Sequence, residues 1–271
     1  MTKPPDGFVR SVDGTEIAYW QSGEGPTVLI AHGGGSFHGA WDPMLPVLTP
    51  ECTVVTIDRR GRGASGDTLP YEIEREVEDV AAVADAFGPL CVLGHSFGGP
   101  VALDAAQLTD AISSLIIYEG WPDPDEDLTV LPDYVLPMEA LSAAGRYEES
   151  VEYGETPEDI AKLRRNPLWP SWVDATSTFP REVRAYHHFW TANPPTSGRW
   201  RDLHIPILLL VGEQNPQYGR GAALLAGSLA DARIEELPGQ GHMAYSEAPE
   251  VLAAAVLPFV RSIDAPPAGG D

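Results

Sequence analysis

The sequence predicts an α/β protein: a mostly parallel central sheet with helices on both faces and a helical cap inserted between two of its strands. One observation is the alternation of helical patterns with short runs that are apolar on both faces, TVLIA (27–31), CTVVTID (52–58) and IPILLLVGE (205–213) among them. Strands buried on both faces read this way in sheets covered by helices on each side. A second is the break in that rhythm between residues 121 and 200, where no buried strand appears and helical pieces are interrupted by prolines. Five of the seven tryptophans fall there, at Trp121, Trp169, Trp172, Trp190 and Trp200. A third is the stretch LCVLGHSFGGPVALDAA (90–106), which reads as strand, sharp turn and helix around Ser96.

Taken in order, residues 7–21 form a hairpin turning at Asp13-Gly14. TVLIA ends in His32-Gly33-Gly34-Gly35, and a helix is expected from Trp41 to Leu48 despite its prolines. The strand at 52–58 delivers Asp58 and the loop RRGRGASGD. A helical pattern from Ile73 to Phe87 leads to the strand before Ser96, and ISSLIIY (112–118) delivers Glu119. After the cap come the strand at 205–213, a helix at 217–230, a strand at 233–237, the loop PGQGHM and a closing helix. The expected organisation is a core in two parts, 1–120 and 201–264, a cap insertion at 121–200, and a disordered tail at 265–271, whose APPAGGD can pack little.

Forty acidic against 17 basic residues leave a formal net charge of −23. Such a field repels nucleic acid and anionic membrane surfaces, and neither is expected as a partner. Hydrophobic residues at 43% and charged residues at 21% are ordinary for a globular chain. Cys52 and Cys91 adjoin apolar strand-like runs and read as buried free thiols. The opening MTKPPDGFVRSVDG carries no apolar stretch of signal-peptide length, and no run approaches a membrane span. The expectation is a soluble, cytoplasmic protein. Composition is silent on oligomeric state.

Ser96 sits in Gly94-His95-Ser96-Phe97-Gly98, the pattern G-x-S-x-G. A serine at such a turn is held in a strained conformation with its hydroxyl clear of the sheet, and its neighbours two residues away must be nearly free of side chain. Ser96 needs a base to lose its proton as it attacks. His242 lies between the final strand and the final helix, among small residues, and is the candidate. His32 and His95 belong to motif loops, and His38, His187, His188 and His204 read as surface or pocket residues. Asp58 and Arg59 are expected to hold their loop against the sheet, with Ser65 near the pocket mouth. No His, Asp or Glu cluster has metal-ligand spacing, and no G-x-G-x-x-G follows the first strand, so neither a metal nor a nucleotide cofactor is expected.

HGGG at 32–35, DRRGRGAS at 58–65, GHSFGG at 94–99 and GQGHM at 239–243 occur in the order found in the α/β-hydrolase superfamily, which this chain resembles over nearly its whole length. The resemblance implies the α/β-hydrolase fold, a Ser96 nucleophile, a His242 base and an oxyanion hole built from the amides of Gly34 and Phe97. It also exposes a departure. The position that carries the acid in most of the family holds Asn215, an amide without charge. Some branches, haloalkane dehalogenases among them, place the acid after the preceding strand, where this chain has Glu119. The expected triad is therefore Ser96, His242 and Glu119. The alternatives are Asn215 orienting His242 alone, or an acid at Glu213 or Asp123. An asparagine at 215 is also what replacing an aspartate to trap a substrate would leave.

A serine rather than an aspartate at the nucleophile position weighs against dehalogenase and epoxide hydrolase chemistry. The expected activity is hydrolysis of an ester or thioester of a moderately apolar small molecule, in a pocket lined by His32, Gly33, Trp121 and Trp190. Rival readings are an acyltransferase, cyclase or lyase of the same fold, or a binding protein that has lost the chemistry.

Overall fold

The computed structural model describes residues 3–153 and 155–264; the tail expected at 265–271 lies outside them. The elements run β1 (Gly7–Arg10), β2 (Glu16–Ser22), β3 (Thr27–Ala31), a 3-10 segment (His38–Met44), α1 (Leu45–Leu48), β4 (Thr53–Ile57), α2 (Ile73–Phe87), β5 (Leu90–His95), α3 (Gly98–Ala105) and β6 (Ile112–Tyr118). Then come α4 (Val135–Ala143), α5 (Tyr147–Val151), α6 (Pro157–Leu163), α7 (Trp169–Thr176) and α8 (Phe179–Ala192). β7 (Ile207–Gly212), α9 (Pro216–Ala226), β8 (Ala232–Leu237), α10 (Ala244–Glu247) and α11 (Pro249–Asp264) close the chain.

Among the described residues the strands form one eight-stranded sheet in the order β1-β2-β4-β3-β5-β6-β7-β8. β2 is antiparallel to β1 and to β4, and every other pairing is parallel. This is the α/β-hydrolase fold. Because successive residues of a strand face opposite ways, Leu29, Val55, Val92 and Leu209 pack beneath α2 and α3. Val28, Val54, Leu93 and Leu208 pack on the other face with Trp41, Leu252, Val256 and Phe259. The two cores explain why the strands read as unbroken apolar runs.

The helix expected over 41–48 is split, with 3-10 geometry through Met44 and one α turn after it. Pro43 and Pro46 remove amide donors that a regular helix would use. The strand before Ser96 extends to His95 because its ladder with β6 continues to His95 opposite Tyr118. Helices α4 to α8 all fall between β6 and β7. No helix among the described residues is long and apolar enough to cross a membrane.

Candidate active site

The elbow is built by close backbone approach. Ser96 has φ of 50°, and its amide donates to the Tyr118 carbonyl. A Cβ on Gly98 would overlap the carbonyl oxygen of Ala31, and one on Gly94 would press on the Gly98 carbonyl. Glycine at both positions lets β5 turn into α3 directly beside β3.

Parallel register brings the carboxyl ends of β5, β6 and β7 to one edge of the sheet, where α/β proteins build their sites. Glu119, the first residue beyond β6, has φ of 45° and is 1% exposed. Its Oε2 accepts a hydrogen bond from His242 Nδ1 at 2.6 Å. Its Oε1 accepts the Gly212 amide at 2.8 Å, and Asn215 Nδ2 donates to both oxygens at 3.0 Å. Asn215, at the family's usual acid position, thus hydrogen-bonds to Glu119. A carboxylate offers only acceptors, so His242 Nδ1 is the donor of this bond. Asp123 and Glu213 are engaged elsewhere, with Arg220 and the Gly239 amide.

His242 is seated by its neighbours. His95 Nε2 bonds to the His242 carbonyl at 3.0 Å, and the Tyr218 ring stacks on the imidazole at 5.8 Å between centroids. Burial holds the His95 ring well below the ordinary histidine range, so it is neutral and donates from Nε2. His32 is also neutral: burial and the Arg59 charge push its pKa well down. Its Nε2 accepts the Arg59 amide at 3.2 Å, which leaves the proton on Nδ1, 2.9 Å from the Gly33 carbonyl.

Ser96, His242, Gly34 and Phe97 line a cavity of 340 Å³ that α8 also walls. Phe179, Val183, Tyr134 and Tyr186 supply apolar surface, while Glu126, Glu182, His187 and Tyr218 add polar groups. Burial pushes the Tyr218 phenol up to about 12 and Tyr186 well above its usual range, so both keep their protons.

The pocket expected around the tryptophans is corrected. Trp121 and Trp190 are fully buried and are not among the residues lining this cavity. Trp121 donates to the Tyr218 carbonyl at 2.8 Å, and Trp190 packs edge-on to Phe189 and Trp200. Both rings are packed into the hydrophobic core instead, where their large apolar area is removed from water. His32 and Gly33 lie behind the lining rather than in it. Ser65 is not at the cavity mouth either: its hydroxyl accepts the Ala18 amide and donates to the Asp58 carbonyl, tying its loop to β2. Among the histidines, His187 lines the cavity, His38 pairs with Asp58 at 2.8 Å, and His188 and His204 are exposed.

Sequence reasoning missed Glu182. This α8 residue is 1% exposed and pairs with Arg59 at 3.0 Å and with Arg62, while its Oε2 accepts the Gly35 amide at 3.2 Å. A charged residue in a surface-helix pattern carries no mark of burial until its partners, more than a hundred residues away, are known. Both cysteines are free and buried, and burial pushes the Cys91 thiol up to about 12, so it is not a nucleophile at neutral pH.

Known proteins agree with this architecture. A solved α/β hydrolase from Sphaerobacter thermophilus is 34% identical, superposes with a TM-score of 0.77, and covers 93% of this chain and 99% of its own. A relative named "Putative carbamate hydrolase RutD", from Azorhizobium caulinodans, is 28% identical over 92% of this chain and 96% of its own length. A pimeloyl-(acyl-carrier protein) methyl ester esterase from Nitrosospira multiformis is 25% identical over 88% and 96%. The sequence model of the Alpha/beta hydrolase family matches residues 28–255. With the elbow on β5, the histidine after β8 and the sheet order all in agreement with that match, this chain belongs to the alpha/beta hydrolase family.

Proposed function

We propose that this chain is a serine hydrolase that cleaves an ester or thioester of a moderately apolar small molecule through an acyl-enzyme on Ser96. The observation that carries the reading is the 2.6 Å hydrogen bond from His242 Nδ1 to buried Glu119. That bond fixes the His242 ring at the wall of the cavity that Ser96 also lines. In this reading His242 Nε2 takes the Ser96 proton as Oγ attacks the carbonyl carbon. The amides of Gly34 and Phe97 hold the developing oxyanion. Collapse of the tetrahedral intermediate expels the leaving group, which takes the proton from His242. Water, deprotonated by the same imidazole, then attacks the acyl carbon and frees Ser96.

Glu119 supports the imidazolium that forms in each half of the cycle, and Asn215 keeps the carboxylate facing it. The apolar walls at Phe179, Val183 and Tyr186 favour an uncharged acyl group of modest size. The relatives' names point to carbamates and methyl esters, which present the same electrophilic carbonyl, and support a hydrolase of this fold. The excess of acid over base weighs against nucleic acid or an anionic membrane surface as partner.

The test is stoichiometric labelling by a fluorophosphonate, mapped to Ser96, alongside turnover of p-nitrophenyl acyl esters and aryl carbamates. The expected result is one label per chain and measurable turnover, both abolished in Ser96→Ala. A wild-type protein that is neither labelled nor active would be a binding protein, and the reading would fall.

A further inference from the structure

The peptide that offers the Gly34 amide to the cavity is gripped from behind by a charge. Its carbonyl belongs to Gly33 and accepts Arg59 Nη2 at 3.2 Å as well as His32 Nδ1 at 2.9 Å. Arg59 is 1% exposed, and its guanidinium lies 4.4 Å from the centre of the Phe97 ring, whose residue supplies the other oxyanion amide of the proposed mechanism. Glu76 of α2 and Glu182 of the cap helix α8 each hold it at 3.0 Å. Glu182 reaches the same loop a second time through the Gly35 amide.

We propose that Arg59 is a positioning residue for the oxyanion hole, and that Glu182 makes the cap part of that device. The inference rests on the serine hydrolase reading. Three consecutive glycines can rotate the Gly33–Gly34 peptide at small steric cost, and rotation would point its carbonyl, not its N–H, at the substrate oxygen. With Arg59 in place, rotation strips a buried guanidinium of an acceptor. A cation on the carbonyl of an amide also polarises it and makes its N–H a stronger donor. Both effects grow in importance as charge develops on the substrate oxygen, so they act on the transition state rather than on substrate binding. Because Glu182 is supplied by α8, the seating of that helix and the completion of the hole depend on the same contacts.

The experiment compares wild type, Arg59→Met, Arg59→Lys and Glu182→Gln with a p-nitrophenyl ester and with a trifluoromethyl ketone, which forms a tetrahedral oxyanion adduct on the serine. Removing an oxyanion donor outright costs about 10²- to 10³-fold in kcat. Arg59→Met is expected to lose about 10- to 100-fold in kcat with KM within about twofold, and to weaken the ketone by the same factor. Arg59→Lys should fall between it and wild type. Glu182→Gln should lose about three- to tenfold with the same kcat-only signature, and decides the matter should Arg59→Met not fold. Folded variants with unchanged kcat, or with lower kcat but unchanged ketone affinity, would overturn the role of Arg59. A wild type without turnover or phosphonate labelling would instead overturn the serine hydrolase reading beneath it.

Discussion

At the scale of single residues, the site turns on how Glu119 and Asn215 divide one task. Glu119 sits in the left-handed region, a conformation a non-glycine residue holds only when its surroundings insist. Those surroundings are the Gly212 amide, both contacts from Asn215 and the His242 imidazole. Glu119→Gln replaces an acceptor-only group with one that can present a donor to His242 and strips the charge that, in the proposed mechanism, supports the imidazolium. Loss of the triad charge in a serine protease lowers kcat about 10⁴-fold, and a loss of that order is expected here in steady-state ester hydrolysis. Asn215→Ala leaves Glu119 its backbone donor and should cost only about tenfold, the worth of one hydrogen bond to a charged group. Asn215→Asp is more telling. It sets a second carboxylate against Glu119, and two carboxylates at that range share a proton. Activity at neutral pH should drop below that of wild type, although aspartate is the family's usual residue there. An Asn215→Asp enzyme more active than wild type would mean that position 215 carries the acid.

At the scale of elements, two junctions decide whether the site exists. One is the turn from β5 into α3, where Gly98 meets the Ala31 carbonyl. Gly98→Ala must push β3 and α3 apart. The other is the seam between α8 and the core, where Trp190, Trp200 and Phe189 pack together and Trp200 Nε1 donates to Asp104 at 2.8 Å. Trp190 is fully buried, and Trp190→Ala is expected to cost about 3–5 kcal/mol in urea denaturation, the usual penalty for emptying a buried aromatic site. A loss below about 1 kcal/mol would show that the seam is carried by other contacts. The seam's chemistry was visible in the sequence as a concentration of tryptophan, but its direction was not. The same aromatic composition suits a ligand pocket or an internal joint, and only the packing of α8 against α2 and the core beside it distinguishes them.

For the whole molecule, stability should depend on pH through two histidines that fold in neutral form. Burial holds His32 and His95 well below the ordinary value of 6.5. Above 6.5 neither form of the chain protonates these rings and their contribution is fully present. Below it the unfolded chain binds protons that the folded chain refuses, so stability falls with pH, by at most about 1.4 kcal/mol per pH unit for each ring. Glu76 and Asp79, whose carboxyls burial pushes up, act in the opposite sense toward acid. The comparison that isolates one ring is wild type against His95→Gln, which keeps a donor for the His242 carbonyl. Its dependence of unfolding free energy on pH between 6.5 and 5.5 should be shallower, and equal slopes would count against a neutral, buried His95.

What the sequence by itself determined was the order of parts. Runs apolar on both faces require a sheet covered on both sides, G-x-S-x-G between a strand and an alanine-rich helix requires a tight turn, and the interruption at 121–200 requires an insertion. These are local consequences of periodicity and steric bulk. The sequence also narrowed the acid to a few positions, because Asn215 carries no charge and Glu119 ends a buried strand. Only the tertiary structure decided how those residues meet: that Glu119 and Asn215 act on one another, that Trp121 and Trp190 seal rather than line, and that Glu182 is buried against Arg59 and Arg62. The physical reason is that burial and charge pairing are properties of the space between elements. Residues 123 apart in the chain, such as Arg59 and Glu182, reveal their contact only once α8 is packed beside the sheet's loops.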